Sequence, residues 1–157
     1  MRTTTTRTLV KTSLAVTAAA GVGVLATDPD SPWYRRLSKP PWQPPGPAYG
    51  IVWTPLYAMI AYAGGRAMDQ ATRPDRRSIG LALGVNLGLN AGWTALFFAA
   101  KSPKAALAEI MVLNVSNAAL VRQVWKADRR AGLLLLPYAG WTVFATALNA
   151  DIVRRNR

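Results

Sequence analysis

Residues 31–62 read SPWYRRLSKPPWQPPGPAYGIVWTPLYAMIAY, and this stretch decides the fold. A loop rich in tryptophan and proline runs directly into an apolar, aromatic segment. Pro40, Pro41, Pro44 and Pro45 flank Trp42. Proline fixes φ and lacks an N–H, so this part of the loop is stiff and cannot be helical. Two roles fit a stiff aromatic loop at the mouth of an apolar segment. One is a lid over a flat, apolar ligand. The other is a passive anchor, because Trp and Tyr gather at membrane interfaces.

Working outward, five apolar segments can be drawn, at about 9–26, 47–65, 79–100, 105–121 and 131–150. Each approaches the ~20 residues a helix needs to cross a hydrocarbon core of ~30 Å. None alternates with period two, so helices are expected rather than the strands of a barrel. The reading is an all-α, integral membrane bundle of five transmembrane helices, one domain over residues 1–157, with a lid loop at 27–46. Lys101-Ser102-Pro103-Lys104 reads as a helix stop and restart. The first segment has a rival reading. Arg2 and Arg7 precede it and Val24-Leu25-Ala26 ends in small residues, as a cleaved signal peptide would.

The composition agrees with a membrane protein. Of 157 residues, 51% are hydrophobic, and the charges fall into short clusters between long uncharged runs. A net charge of +12 would suit nucleic acid, but the Lys and Arg occupy connections, where membrane topology requires them, so no nucleic-acid role is expected. With five helices, the side holding the N-terminus and the connections 66–78 and 122–130 carries 11 Lys and Arg. The side holding the Trp/Pro loop and the C-terminus carries 8, too small a bias to orient the chain. The sequence has no Cys and no His. Disulfides, thiolate chemistry and the commonest metal and haem-iron ligands are thereby removed, and no metal is expected. No nucleophile triad, phosphate loop or carboxylate pair is present.

Polar groups inside lipid are costly and each needs a partner. Asn86 and Asn90 stand one helical turn apart on one face, with Trp93 three residues on. They either orient a ligand in an aromatic pocket or hydrogen-bond between helices. Trp53 and Trp141 lie deep in other segments, where a cavity explains them better than lipid contact does. Glu109 is the acidic residue well inside an apolar run; pairing with a loop Lys or Arg, or a place near the interface, is expected for it. Gly80, Gly84, Gly88 and Gly92 recur every four residues and give one helix a smooth face, for packing within the bundle or across a homodimer. The cations Arg35, Arg36 and Lys39 in the loop suit either ligand carboxylates or lipid headgroups.

The chain also resembles the TspO/MBR family, the tryptophan-rich sensory or translocator proteins. The matching blocks are Trp33-Tyr34, Leu37, Lys39-Pro40, Trp42 and Pro44-Pro45, then Val52-Trp53, Leu56-Tyr57 and Tyr62. Further on come Leu89-Asn90, Trp93, Phe97-Phe98 and Ala106-Leu107 with Glu109. The last block is Pro137-Tyr138, Trp141, Phe144-Ala145 and Leu148-Asn149.

The resemblance implies five transmembrane helices, so a retained first segment, and a cavity capped by the first long loop. It implies porphyrin-type ligands such as protoporphyrin IX, with no required cofactor; the Arg- and Ala-rich composition fits a multi-pass protein of a bacterial cell membrane. By position the resemblance implies Trp53, Tyr57 and Trp141 as cavity aromatics, Asn90 as the polar cavity residue, Tyr34 as the lid aromatic and Ala145 on the Trp141 wall. It favours a homodimer through the third segment. Ala150-Asp151-Ile152 follows Leu148-Asn149 where the family has aromatics, so sterol binding is not expected. The leading reading is a tetrapyrrole sensor, carrier or regulator. The others are a light-dependent porphyrin-degrading enzyme using Trp53 and Trp141, and a structural membrane protein without such a ligand.

Overall fold

A computed structural model describes residues 2–157. The chain forms six α-helices among the described residues: α1 Arg2–Ala26, α2 Pro32–Arg36, α3 Gly46–Gln70, α4 Arg73–Thr94, α5 Pro103–Ala127 and α6 Arg129–Arg155. A π-helical turn, Ala95–Ala99, continues α4. Four helices are long and apolar enough to cross a membrane: Thr6–Ala26, Arg73–Ala99, Pro103–Ala127 and Arg129–Arg155. The helix α3 is equally long, but Trp53, Tyr57, Pro55 and several glycines dilute its aliphatic content.

The helices run further than the apolar segments. Each extends about a turn past its apolar run into a charged region, so the connections expected at 66–78 and 122–130 shrink to Ala71-Thr72 and Asp128. The reason is capping. Thr72 accepts the amide of Asp75, Ser102 that of Ala105 and Asp128 that of Ala131, satisfying first-turn donors. The lid also departs from the expectation of an unbroken loop. Ser31 caps the single-turn helix α2 by accepting the Tyr34 amide at 3.3 Å, with Pro32 at the first helical position. The proline-flanked stretch that follows is non-helical, as its four prolines require.

Two close approaches fix the end of the bundle opposite the lid. Gly64 and Gly65 let α3 lie against Leu9 and Thr12 of α1, and a Cβ on Gly65 would meet Leu9 Cδ2 at 2.6 Å. Arg66 Nε lies 2.7 Å from Asp128 Oδ2, tying α3 to the α5–α6 junction. Partial burial opposes ionisation of Asp128. The Ala131 and Arg130 amides and the Arg66 guanidinium outweigh it and hold the carboxyl below its usual range.

Of the α4 glycine repeat, Gly80 and Gly92 lie beside Met68 and Glu109, whereas Gly84 and Gly88 meet no neighbour in the chain. A Cβ on Gly84 or Gly88 would meet nothing within 4 Å, and both residues are exposed. The face instead looks out of the bundle, with Leu81 and Val85 exposed beside it.

Candidate functional site

The stacked aromatics of α3 begin the site. Tyr49, Trp53 and Tyr57 are four residues apart and so share one helix face. Trp53 stacks on Tyr57 with ring centroids 5.0 Å apart, and Tyr49 meets Trp141 of α6 edge-on at 6.1 Å. Trp93 of α4 stacks on Phe97 at 5.1 Å. The π turn inserts an extra residue into the helical repeat, and Phe97 and Phe98 both come to line the same space. Lys101, at φ 52°, then ends the helix in the left-handed region and hands the chain to α5.

These rings enclose a cavity of about 670 Å³. Of the residues read from sequence, Tyr34, Trp53, Tyr57, Asn90, Trp93, Trp141 and Ala145 all line it. The first apolar segment contributes Ala20, Gly23 and Val24 to the wall, so α1 is a structural part of the site. The volume falls within the range that holds drug- or cofactor-sized molecules.

The lid is fastened in two places. Trp42 Nε1 donates to Asp151 Oδ2 at 3.2 Å, and its ring meets Phe144 edge-on at 5.7 Å. Ser38 and Asn156 exchange two hydrogen bonds of 2.9 Å each. Both latches join the loop to the last turns of α6. Inside the lid, Gln43 Nε2 donates to the Tyr34 hydroxyl at 3.0 Å. Burial pushes the Tyr34 phenol above its ordinary value, in spite of that bond, so it stays neutral.

The two asparagines of α4 divide. Asn86 is completely buried and does not line the cavity. Its Nδ2 donates to Ser116 Oγ at 3.1 Å and Asn117 Oδ1 at 2.7 Å, while its Oδ1 accepts from the Tyr138 hydroxyl at 3.0 Å. Asn90 sits on the cavity side. It accepts from the Tyr57 hydroxyl at 3.0 Å and donates to the Tyr138 hydroxyl at 3.3 Å. The network continues from Asn117 Nδ2 to Thr142 Oγ1 at 2.8 Å. A chain of amides and hydroxyls thus joins α3, α4, α5 and α6 behind the aromatic wall.

The lid cations and Glu109 take places that the sequence left open. Arg35 and Arg36 are exposed on the lid and do not line the cavity. Lys39 does not line it either: its Nζ donates to the Leu37 carbonyl at 3.3 Å and lies 4.5 Å from the Tyr34 ring centroid. Glu109 has no loop partner. Both carboxylate oxygens are buried without a hydrogen bond, and it joins no ion pair among the described residues. Its Oε1 lies beside Gly92, 3.9 Å from where a Cβ would stand there, an ordinary van der Waals distance.

Tyr49, Gln43 and Thr142, which the sequence reading did not single out, and Phe97, Phe98 and Asn149, which it quoted without a site role, all stand in the wall. Tyr49 was legible, because it continues the four-residue spacing of Trp53 and Tyr57. Asn149 was not: it reaches the site by accepting from Trp93 Nε1 at 3.0 Å while donating to the Pro103 carbonyl.

Comparison with known proteins now adds a name to this geometry. A Tryptophan-rich protein TspO from Archaeoglobus fulgidus is 35% identical over 149 residues, covering 94% of this chain and 96% of its own. A Tryptophan-rich protein TspO from Chlorobaculum tepidum is 34% identical over 129 residues, 82% of each chain. The human Translocator protein is 33% identical over 131 residues, 79% of this chain and 75% of its own. The TspO/MBR family model matches residues 12–155. This multi-pass integral membrane protein belongs to the TspO/MBR family.

Proposed function

We propose that the protein binds porphyrin-like tetrapyrroles within the bilayer and acts as a sensor, carrier or regulator. The observation that carries this reading is the aromatic cavity of about 670 Å³ beneath a latched lid. Flat rings stack favourably on Trp and Tyr faces, and six such rings line the cavity: Tyr34, Tyr49, Trp53, Tyr57, Trp93 and Trp141. In this reading α3 is the fifth span. Its 25 residues reach ~37 Å, enough to cross ~30 Å of hydrocarbon. The membrane is that of a bacterial cell, as the Arg- and Ala-rich composition favours.

The test is a protoporphyrin IX titration of purified protein in detergent, followed by tryptophan fluorescence and the porphyrin absorption band. Saturable binding is expected, weakened about tenfold by Trp53→Phe or Asn90→Ala, since one lost stacking or polar contact is worth ~1.4 kcal/mol. Binding that never saturates, or ignores both changes, would return the chain to a structural role.

One observation favours a second reading, light-dependent porphyrin breakdown. Trp53 and Trp141 both face the space a bound ring would fill. Under illumination in air, loss of porphyrin absorbance is then expected in wild type and not in the Trp53→Phe/Trp141→Phe double variant. Equal loss in both chains would dismiss it.

The open face of Gly84 and Gly88 supports a homodimer in which α4 meets its own copy. Light scattering of the detergent complex should report a dimer for wild type and a monomer for Gly84→Leu/Gly88→Leu. A dimer in both would place the contact elsewhere.

A further inference from the structure

The end of the bundle opposite the lid carries cations that the fold leaves without partners. Arg66 is bound to Asp128, and Arg76 Nε donates to the Met68 carbonyl at 2.7 Å. Arg77 at the start of α4, and Arg122 and Lys126 near the end of α5, are exposed. None of these three enters an ion pair, a side-chain hydrogen bond or a ring contact among the described residues. The carboxylates at this end are engaged or out of reach. Asp128 is held by Arg66, Asp75 accepts from Thr72 Oγ1 at 2.6 Å, and both carboxylate oxygens of Asp69 are buried.

The three cations border one seam. Ser78 Oγ donates to Gln123 Oε1 at 3.1 Å on the exposed surface, which sets the first turns of α4 beside the last turns of α5. Arg77 adjoins Ser78, while Arg122 and Lys126, one turn apart, flank Gln123. Further along the same seam the surface is apolar. Leu81 and Val85 of α4 and Val112 and Val115 of α5 are all exposed. Asn86, bonded to Ser116 and Asn117, closes the floor between the two helices. At ~1.5 Å per residue, Val85 lies about 12 Å deeper than Arg77, and Val112 about 15 Å deeper than Arg122, which is the depth of one leaflet of a ~30 Å core.

Cations in a connection satisfy membrane topology wherever they reach water. These three instead head an exposed apolar strip one leaflet deep, and the two parts match the two parts of a lipid. We infer that the outer α4–α5 seam binds an anionic phospholipid, with its phosphate against Arg77, Arg122 and Lys126 and an acyl chain along Leu81, Val85 and Val115. A juxtamembrane cation strengthens binding to an anionic headgroup about fivefold, whereas a zwitterionic headgroup brings its own cation and gains little. Helical spacing puts Leu81 and Val85 between the seam and the face of Gly84 and Gly88, so a second copy on the glycines leaves the seam open. The inference concerns the outer surface and is independent of what the cavity holds.

The experiment uses the full chain in mild detergent with equal amounts of phosphatidylglycerol and phosphatidylcholine of identical chains. Retained lipid is read by native mass spectrometry. Wild type is expected to favour phosphatidylglycerol about tenfold or more. Arg77→Gln/Arg122→Gln/Lys126→Gln should abolish that preference. Arg35→Gln/Arg36→Gln/Arg157→Gln removes as many charges at the lid end and should keep it. All six side chains are exposed, so both triple variants should melt with wild type in lipid-free detergent. Equal retention of the two lipids by wild type overturns the proposal. So does an equal loss of preference in both triple variants, because net charge alone would then attract the lipid. Release of the lipid by soluble glycerol phosphate overturns it as well, since the phosphate would then bind without the apolar strip. A dimer without lipid, beside a monomer that carries it, would give the seam to a second copy and overturn it likewise.

Discussion

An Asn86→Leu chain is expected to melt on the order of 10 °C below wild type in detergent while keeping its porphyrin affinity. Asn86 is wholly buried and joins α4 to α5 and α6 through three hydrogen bonds. Between membrane helices such bonds average ~0.6 kcal/mol, so three contribute about 2 kcal/mol. The larger effect is what the change leaves behind. The Tyr138 hydroxyl loses its acceptor and Asn117 Oδ1 loses its donor, both in the dry interior, at ~1–3 kcal/mol for each orphaned group. Leucine keeps the branched shape of asparagine but is bulkier, so some overpacking adds to the loss. The lost bonds and the orphaned groups add to about 4 kcal/mol at their lower ends, and at ~2–4 °C per kcal/mol for a chain of this size that gives the expected fall. Thermal unfolding followed by tryptophan fluorescence checks the first half, and the titration checks the second. Unchanged melting with lost binding would mean that Asn86 touches ligand after all.

Gly132→Ala should also destabilise the protein, whereas Gly21→Ala should not. One methyl group at Gly132 would lie 2.7 Å from Trp125 Cε3 and 2.9 Å from its Cα. The second of these is backbone, so no rotamer change relieves it. Either α5 or α6 must move where they join at Asp128, and overpacking of this kind costs ~1–3 kcal/mol. The stacking of Arg129 on Trp125, 5.4 Å from the ring centroid, moves with it. At Gly21 the same methyl meets nothing within 4 Å, and alanine is the better helix former by ~0.5–1 kcal/mol. Opposite signs for one chemical change are therefore expected in parallel melts. Equal melts for the two variants would mean that the α5–α6 junction is looser than this geometry.

Which features were legible in the sequence follows from where each property resides. A long uncharged run commits to a membrane helix because lipid offers its backbone no partner; length and composition alone decide it. The sequence therefore determined the helical bundle, the proline-stiffened lid and the crowding of aromatics at one end. It also marked Trp53, Asn90 and Trp141, since deep Trp and amide groups are poorly served by lipid, while Tyr57 came from the family resemblance. The segment ends were underestimated, because helices continue into water once Thr72, Ser102 and Asp128 cap them.

Direction was left to the tertiary structure. Asn86 and Asn90 stand on one helix face, yet the rotation of α4 against α5 and α6 gives Asn86 to the interhelical network and Asn90 to the cavity. The glycine repeat reads the same whether it faces a neighbour or the exterior, and only the packed bundle leaves Gly84 and Gly88 outside. The π turn breaks the 3.6-residue period, so no helical wheel places Phe97 and Phe98 together in the wall. The lid cations are close to the cavity in sequence, yet none lines it: Arg35 and Arg36 are exposed and Lys39 lies over the Tyr34 ring. Periodicity and composition describe a segment by itself, whereas the charge and hydrogen-bonding character of a cavity depends on which faces several segments turn toward one another.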